Sequence, residues 1–363
     1  MKEIVDEVER WRSRGERFAV ATVVATRRSA PRPIGSKFAV SESGELCGSV
    51  SGGCVEGDIA EQAKDVLETG VPRLLSYGIS DDEALGVGLP CGGEIDVFVE
   101  AAPSDLSFDV DVAGDATVLL TVIEGPEIGQ RLLVGSEPGV RGGDARPALA
   151  AIADRVEDSG ILCWRGQRVF AEVFRPAQRL VIVGAIDIAE ALADLANALG
   201  WHTICIDPRA VFASSERVPS ASELLVEWPD QALRALDLDE DTAIVVLLHD
   251  EKFIVPTLLS ALEAPASYIG VLGSRHAQAA WHSQLIAAGV PRQELVRLHG
   301  PAGLDIGAST PGEVAVAIFA EILAVRSGRR GGFLRDGRGA ITRRPLSVAL
   351  PAKEIAPVHR ATR

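Results

Sequence analysis

The segment Arg179-Leu180-Val181-Ile182-Val183-Gly184 is the most informative one for the fold of this chain. An apolar run of this length that ends in glycine is typical of a strand buried on both faces. A helical pattern follows at 187–199 and ends at Gly200, and a second strand pattern comes at 202–206. Strand, helix and strand in this order form the unit of a parallel sheet with crossover helices. We therefore predict a doubly wound, Rossmann-like second half.

The alternation of strands and helices continues after residue 206. Strands are predicted at 224–227, 243–248 and 268–272, and helices at 230–236, 255–263 and 274–288. Thr310-Pro311-Gly312-Glu313 is a capping box with proline at the first helical position, and it opens an apolar helix that runs to Val325. The second half is therefore predicted as an α/β domain with a parallel sheet.

The first half has short strands and irregular loops in place of a regular alternation. Its predicted helices lie at 55–68 and 146–158, and its predicted strands at 20–25, 38–40, 95–100, 117–123, 131–134 and 169–174. No linker separates these elements, so we assign them to one mixed α/β domain. The predicted organisation is an N-terminal domain at 1–176, the Rossmann-like domain at 177–327, and a basic, weakly ordered tail at 328–363.

The most distinctive loop of the first half is Gly48-Ser49-Val50-Ser51-Gly52-Gly53-Cys54-Val55-Glu56-Gly57-Asp58, here named the glycine–cysteine loop. Its small residues let the backbone turn sharply, so that N–H groups converge on one point, and the helix that follows adds partial positive charge there. We expect an anion as the ligand. Cys54 would lie at the start of that helix, where the thiolate form is stabilised. The alternative is a small buried cysteine in an ordinary glycine turn.

Two further loops of the first half have similar character. Residues 29–37 form a proline-rich loop with two basic side chains, and residues 86–94 pair a second cysteine with glycines. Because such loops are costly in backbone entropy, we expect them to converge on a ligand. The candidate reactive residues are Cys54 and Cys91. The candidate binding residues of this half are Arg32, Ser36, Lys37, Ser49, Ser51, Gly52, Gly53, Glu56, Gly92 and Gly93.

A dinucleotide-binding fingerprint is incomplete in the second half. The pattern Gly-x-Gly-x-x-Gly/Ala is expected between the first strand and helix, with an acidic residue about twenty positions later. The turn here is Gly184-Ala185-Ile186-Asp187-Ile188-Ala189, and Asp207 ends the second strand. Ile186 replaces the glycine that lets a diphosphate touch the backbone, and Asp187 places negative charge beside it. The topology is therefore predicted without tight NAD(P) binding, and Arg209 is either a phosphate contact or a surface ion pair.

Loops at the predicted strand ends carry further polar residues. His249 beside Asp250 is either an oriented acid–base group or part of a helix cap, and Gly273-Ser274-Arg275 suits a phosphate through backbone, hydroxyl and guanidinium. A glycine-framed loop with Asp305 precedes the last helix. The candidate binding residues of the second half are Gly184, Asp207, Arg209, His249, Gly273, Ser274, Arg275 and Asp305.

The composition restricts the class of protein. A net charge of -15 disfavours nonspecific nucleic-acid binding and leaves room for a small basic pocket. No run of eighteen apolar residues occurs, and the N-terminus has a charged helical pattern, so we expect a cytoplasmic protein without a membrane span. Five cysteines without Cys-x-x-Cys or zinc-ligand spacing argue against disulfides and against a metal site.

Five segments of the chain carry a family resemblance. They are residues 29–37, 48–58, 91–93, 268–275 and 303–311. Over residues 10–326 the chain closely resembles the xanthine dehydrogenase accessory factor family, also called XdhC/CoxI. The resemblance implies a maturation factor that binds molybdenum cofactor, as molybdopterin or as its cytosine dinucleotide, and supports its sulfuration. It also implies delivery to an apo molybdenum hydroxylase such as a xanthine, aldehyde or carbon monoxide dehydrogenase.

The resemblance also implies roles for the loops. Glycine loops would take the phosphate of the cofactor, and we hypothesise that Cys54 or Cys91 approaches molybdenum or carries sulfur supplied by a cysteine desulfurase. Two positions depart from the family pattern: Ile186, where a glycine is common, and His276, where a second arginine is common. The apolar helix from Pro311 suits either a core or the interface of a homodimer.

Two other functions stay open beside an accessory role. The Rossmann-like half with Asp207 fits an NAD(P)-dependent oxidoreductase, and Cys54 fits a sulfurtransferase that works through a persulfide. We expect an accessory protein before a stand-alone enzyme. The absorption spectrum of a bound cofactor separates molybdopterin from nicotinamide, and the mass of the chain after incubation with a cysteine desulfurase reveals an added sulfur.

Overall fold

The computed structural model describes residues 2–27, 30–78, 93–102, 116–135, 152–153 and 156–337. These residues form two compact units, unit 1 within residues 1–176 and unit 2 at Ala177–Gly337. Unit 2 thus continues past residue 327, where the sequence places the start of the tail, and residues 338–363 lie outside the described ranges. No helix within those ranges is both long and apolar enough to cross a lipid bilayer.

Unit 1 is built around a five-stranded antiparallel sheet with the strand order β3-β2-β1-β5-β4. Its elements in chain order are α1 (Lys2–Ser13), β1 (Phe18–Arg27), β2 (Lys37–Ser41), β3 (Leu46–Gly48), α2 (Glu56–Thr69), β4 (Arg73–Tyr77) and β5 (Glu94–Ala101). The central strand β1 is buried on both faces, which explains its continuous apolar run. Ala19 and Ala21 pack into the core that includes Ile59 of α2, whereas Phe18 packs with Trp11 of α1.

A second, four-stranded antiparallel sheet completes unit 1. It consists of β6 (Thr117–Glu124), β7 (Arg131–Val134), β8 (Gly160–Trp164) and β9 (Gln167–Phe174), in the order β7-β6-β9-β8. Val24 and Phe98 of the first sheet pack with Ile123 and Phe170 of the second in one buried cluster. The two sheets therefore share a hydrophobic contact.

Unit 2 contains a six-stranded parallel sheet. Its strands are β10 (Arg179–Val183), β11 (His202–Ile206), β12 (Glu223–Leu225), β13 (Thr242–Val246), β14 (Tyr268–Val271) and β15 (Leu298–His299). The spatial order β12-β11-β10-β13-β14-β15 is the order 3-2-1-4-5-6 of the doubly wound fold, which reverses direction between β10 and β13. The predicted Rossmann-like topology is confirmed.

Helices cover both faces of this sheet. They are α3 (Asp187–Ala198), α4 (Pro229–Ala235), α5 (Glu251–Glu263), α6 (Arg275–Ala287) and α7 (Pro311–Arg326). Alternate residues of β10 enter opposite cores: Ile182 packs on the side of α3 and α7, and Val183 packs on the side of α4, α5 and α6. The predicted capping box is present, since Thr310 accepts from the Glu313 N–H while the Glu313 carboxylate accepts from the Thr310 N–H.

Some elements differ from the sequence prediction. Helix α5 begins at Glu251, four residues before the predicted start at 255, because the Asp250 side chain caps it and Pro256 is accommodated within the helix. Four short strands, β3, β4, β8 and β15, have no counterpart among the predicted ranges, since they are edge strands of two to five residues with little periodicity. The helix predicted at 146–158 falls mostly outside the described ranges; Ile152 and Ala153 are helical.

Helix α7 offers a test of the packing of unit 2. Ile318 is fully buried against α3, whereas Val316 on the same helix is 47% exposed. We expect Ile318→Ala to lower the free energy of unfolding by about 2–5 kcal/mol, because it removes buried surface and leaves a cavity. Val316→Ala should change it by less than about 0.5 kcal/mol. Urea unfolding followed by circular dichroism measures both, and equal effects would contradict the assigned core.

Candidate functional site

The anion held by the glycine–cysteine loop is the carboxylate of Glu56. Its Oε1 accepts from Ser49 Oγ at 2.7 Å, from the Val50 N–H at 3.1 Å and from the Ser51 N–H at 2.8 Å. Its Oε2 accepts from Ser51 Oγ, from the Gly53 N–H at 2.9 Å and from the Val55 N–H at 3.2 Å. The N–H groups do converge on one point, as the sequence predicts, but the expected external anion is replaced there by a side chain of the loop itself.

These hydrogen bonds control the ionisation of Glu56. Partial burial raises the pKa of this carboxyl, but the hydrogen bonds from Ser51, Ser49 and the Ser51 backbone outweigh burial and lower the pKa to about 2. Glu56 is therefore a permanent anion at neutral pH. That Glu56, Ser49, Ser51 and Gly53 bind a separate ligand stays a prediction, and in the structure their donors and acceptors satisfy each other.

Cys54 is exposed in this closed network, as are Gly52 and Gly53 before it. Ser51 Oγ accepts from the Cys54 N–H at 2.9 Å and from the Val55 N–H at 3.0 Å, and the Cys54 side chain lies in solvent. Gly52 and Gly53 precede it with φ of 79° and 107°, values that glycine adopts without strain. The alternative of a buried cysteine is wrong for this position. The loop thus exposes the thiol just before α2, and hydrogen bonds hold the backbone at Gly53, Cys54 and Val55.

Gly48 anchors the loop to the central sheet. The Ser49 N–H donates to the carbonyl of Lys37 at 2.9 Å, and Gly48 itself has a φ of 77°. A Cβ at this position would lie 2.3 Å from the Lys37 carbonyl oxygen and 2.6 Å from Cγ2 of Ile4. No other residue fits without a shift of the backbone, so the glycine is required by close approach as well as by its dihedral angle.

A cavity of about 330 Å³ lies next to this anchor in unit 1. The proline-rich loop supplies one wall of it with Arg32, Ser36 and Lys37, and β9 supplies Glu172 on the other. Lys37 and Glu172 are both more than nine-tenths buried, and Lys37 Nζ donates to Glu172 at 2.9 Å. The predicted binding residue Lys37 is thus committed to an ion pair, which neutralises the acidic wall of the cavity.

Glu172 is a lining residue that the sequence did not indicate. It lies 135 positions from Lys37, and only the packing of the two sheets brings the pair together. Behind them Glu100 pairs with Arg131, and burial raises the pKa of Glu100 against the opposing effect of that arginine. No local pattern in the chain identifies such a buried network.

The cysteines differ in their environments. Cys91 and Gly92 lie outside the described ranges, and Gly93 is buried at the start of β5. Burial raises the pKa of Cys47 to about 11 and that of Cys205 to about 12. Cys163 on β8 is exposed. Burial therefore makes Cys47 and Cys205 poor nucleophiles, and exposure is shared by Cys54 and Cys163.

In unit 2 the turn after β10 is closed by Asp207 and Arg209. The buried Asp207 carboxylate accepts from the Ala185 N–H at 3.0 Å, and from Nε and Nη2 of Arg209 at 2.8 and 2.7 Å. Burial raises the pKa of Asp207, but the hydrogen bonds from Arg209 and Ala185 outweigh it and lower the pKa overall. Gly184 provides the tight turn with a φ of 113°. Asp207 is therefore not open to ribose hydroxyls, in contrast to the role that the sequence motif indicates.

The remaining strand-end residues act mainly at helix ends. The Asp250 side chain accepts from the Lys252 N–H at 3.2 Å, so it caps α5 and does not orient His249, which is exposed. Ser274 caps α6 by accepting from the Ala277 N–H at 3.2 Å, with Gly273 before it and the exposed Arg275 after it. Asp305 is exposed in the loop before α7. The structure gathers these residues at strand ends but gives them no common partner.

The fold and the glycine–cysteine loop together define an α/β protein with an antiparallel first unit and a Rossmann second unit. The model of the XdhC and CoxI family matches residues 11–78, and that of the XdhC Rossmann domain matches residues 180–322. Together the two matches cover more than half of the chain. The chain therefore belongs to the XdhC and CoxI family. The resemblance of the sequence motifs is confirmed.

Relatives of the chain are similar over most of its length. Molybdenum cofactor insertion chaperone PaoD of Escherichia coli is 29% identical over 312 residues, 86% of this chain and 84% of PaoD. A probable xanthine dehydrogenase subunit from Bacillus subtilis is 27% identical over 320 residues, 86% of this chain and 94% of that protein. A crystal structure from Bacillus halodurans, described as a xanthine dehydrogenase, superposes with a TM-score of 0.72 at 24% identity. The superposition covers 90% of this chain and 97% of the Bacillus halodurans chain, and it supports the assigned fold.

The Glu56 network predicts a pH-dependent loss of stability in Glu56→Gln. The amide lacks the charge that strengthens the six hydrogen bonds to Glu56, so we expect a loss of about 1–3 kcal/mol in the free energy of unfolding near neutral pH. Because the folded pKa of Glu56 is about 2 and the ordinary value is 4.5, its contribution is complete above pH 4.5 and declines as the pH falls toward 2. Denaturant unfolding at several pH values measures the difference between the two proteins.

Glu61→Gln is the matched control for this substitution. Glu61 lies on the same helix, 70% exposed, and pairs with Lys64 one turn away. Its replacement should change stability by less than about 0.5 kcal/mol at every pH. A Glu56→Gln protein that matches this control at neutral pH would show that the network contributes nothing to the fold.

Proposed function

We propose that this chain is a maturation factor that carries molybdenum cofactor as its cargo, supports its sulfuration and delivers it to an apo molybdenum hydroxylase. Membership of the XdhC and CoxI family supports the proposal. So do the names of two relatives, one a molybdenum cofactor insertion chaperone and the other a probable component of xanthine dehydrogenase. The client would be an enzyme of the xanthine, aldehyde or carbon monoxide dehydrogenase type.

The observation that carries the proposal is the exposed thiol of Cys54 on a closed loop. A thiolate is a soft ligand, which suits a metal that already carries sulfur ligands. The loop around Cys54 is held by Glu56 and Ser51 and anchored at Gly48, so the thiol needs little ordering when it meets a ligand. Cys54 is accordingly our candidate for the contact with molybdenum, or for the carrier of sulfur from a cysteine desulfurase.

The cavity of unit 1 suits the organic part of the same cargo. Its volume of about 330 Å³ lies within the usual range of small-molecule sites. Arg32 and Ser36 offer guanidinium and hydroxyl donors to a phosphate, and the apolar side chains of Ile34 and Phe174 offer surface to a flat ring. Lys37 already neutralises Glu172, so the wall does not repel an anion. Both molybdopterin and its cytosine dinucleotide have the phosphate that this arrangement fits.

The geometry disfavours one of the two alternative functions, and an experiment separates the other. An NAD(P)-dependent oxidoreductase would use Asp207 on a ribose, and its carboxylate is already occupied by Ala185 and Arg209. A sulfurtransferase would use the same Cys54 thiol as the proposed cofactor carrier. It is distinguished by an added sulfur on Cys54 in the absence of pterin.

Cofactor content tests the proposal directly. The protein is expressed in a molybdenum-replete host and purified without oxygen, and molybdenum is measured by elemental analysis and pterin by fluorescence. We expect near-stoichiometric pterin and molybdenum in the wild type, and a loss of about tenfold or more in Cys54→Ala, because a metal ligand is removed. Cys91→Ala tests the second cysteine of the family motifs in the same way.

Cys163→Ala is the control, since Cys163 is a second exposed cysteine of unit 1 outside the glycine–cysteine loop. It should retain the wild-type content of both molybdenum and pterin. Absence of molybdenum and pterin from the wild type under these conditions would refute the carrier role. An equal loss in Cys54→Ala and Cys163→Ala would refute the assignment of the site.

A further inference from the structure

Two arginines contact one phenylalanine at the carboxyl edge of the parallel sheet in unit 2. The guanidinium of Arg209, just after β11, lies 4.0 Å from the centroid of the Phe212 ring, and that of Arg217 lies 5.1 Å from it. Open α/β sheets bind their ligands in the crevice outside the carboxyl ends of the strands. The cluster therefore lies at the edge where a ligand of unit 2 is expected.

Asp207 fixes the orientation of Arg209. Nε and Nη2 of the guanidinium both donate to the buried carboxylate, and the Arg209 N–H donates to it as well at 2.9 Å. The same hydrogen bonds raise the pKa of Arg209 above its ordinary value, so the side chain stays charged. Nε and Nη2 point inward, no acceptor for Nη1 occurs among the residues that the structure describes, and 41% of the side chain is exposed. A cation held in this way loses little entropy when it binds an anion.

Nearby acidic side chains have cations of their own. Asp187 at the start of α3 pairs with Arg217 at 3.3 Å, and Asp250, which acts on Arg209 through its charge, pairs with Lys252 at 3.5 Å. These pairs reduce the repulsion that an anion would meet at this edge of a chain with a net charge of -15.

The pairing of Asp207 with Arg209 suits a phosphate better than it suits ribose hydroxyls. In dinucleotide-binding folds an acidic residue at the end of the second strand accepts from a ribose hydroxyl, whereas a nearby arginine accommodates a phosphate on the ribose. Here the Asp207 carboxylate is hydrogen-bonded to Arg209. The turn before α3 has Ile186 in place of the glycine that admits a diphosphate. We propose that unit 2 binds a phosphorylated nucleoside, with its phosphate on Arg209 and without a contact from Asp207 to the ribose hydroxyls.

Two sources share this chemistry: a free nucleotide, and the nucleotide half of a larger cofactor. Isothermal titration of the full chain with adenosine 2′,5′-bisphosphate, cytidine 5′-diphosphate, adenosine and cytidine distinguishes them. We expect at least one phosphorylated probe to bind about tenfold or more tightly than its nucleoside, the change that one charge-assisted hydrogen bond produces. A preference for the adenosine probe points to a free dinucleotide, and a preference for the cytidine probe points to a cytidine-bearing cofactor.

Substitution of Arg209 gives the decisive comparison. Arg209→Ala should abolish the preference for phosphate, and Arg209→Lys, which retains a charge beside the buried Asp207 if the alanine protein fails to fold, should retain only part of it. Arg234→Ala should leave the preference unchanged, because Arg234 is an exposed, ion-paired arginine of α4.

Failure to bind either phosphorylated probe, or a phosphate preference that Arg209→Ala retains in full, would overturn the proposal. If the alanine protein does not fold, equal binding by wild type and Arg209→Lys would overturn it. The carrier role of unit 1 fails separately, because it is measured by molybdenum and pterin content.

Discussion

The carboxylate of Glu56 holds the glycine–cysteine loop in its conformation. Six donors from Ser49, Val50, Ser51, Gly53 and Val55 meet on its two oxygens, and the resulting low pKa keeps the carboxylate charged at any pH in the ordinary range of the folded protein. A loop with so many small residues has a high conformational entropy in the unfolded chain, and the charged centre offsets that cost locally. The exposure of Cys54 follows from this closure, because the polar groups around it are turned inward.

The same principle recurs in both units, where charged side chains that resemble ligand contacts in the sequence serve one another. Lys37 pairs with Glu172 inside unit 1, and Arg209 pairs with Asp207 inside unit 2. Breaking a buried pair of this kind by removing one partner is costly, since the other charge stays buried. Each pair also has a consequence for ligand binding. In unit 1 the pair neutralises one wall of the cavity, and in unit 2 it orients the half-exposed guanidinium of Arg209. The same ion pair can therefore stabilise the fold and prepare the adjacent surface for a ligand.

Local patterns in the chain predicted local structure well. The apolar run of β10 and the capping box of Thr310 depend on neighbouring residues, and the parallel sheet follows from the alternation of strands and helices. Contacts across long sequence separations could not be predicted in this way. Lys37 and Glu172 meet only because two sheets pack together, and the edge strand β15 has two residues and no periodicity. The glycine-rich pattern indicated an anion correctly, but nothing in it distinguished an external ligand from Glu56, five residues after Ser51.

The most direct test of the closed loop is the exchange of its backbone amide hydrogens, measured on the protein freed of cofactor, with and without inorganic phosphate. We predict that the amides of Val50, Ser51 and Gly53 exchange slowly without any added anion, because Glu56 accepts from them, and that phosphate leaves their rates unchanged. Rapid exchange in the free protein that slows only when phosphate is added would contradict this closure, since the loop would then be an open site for an external anion.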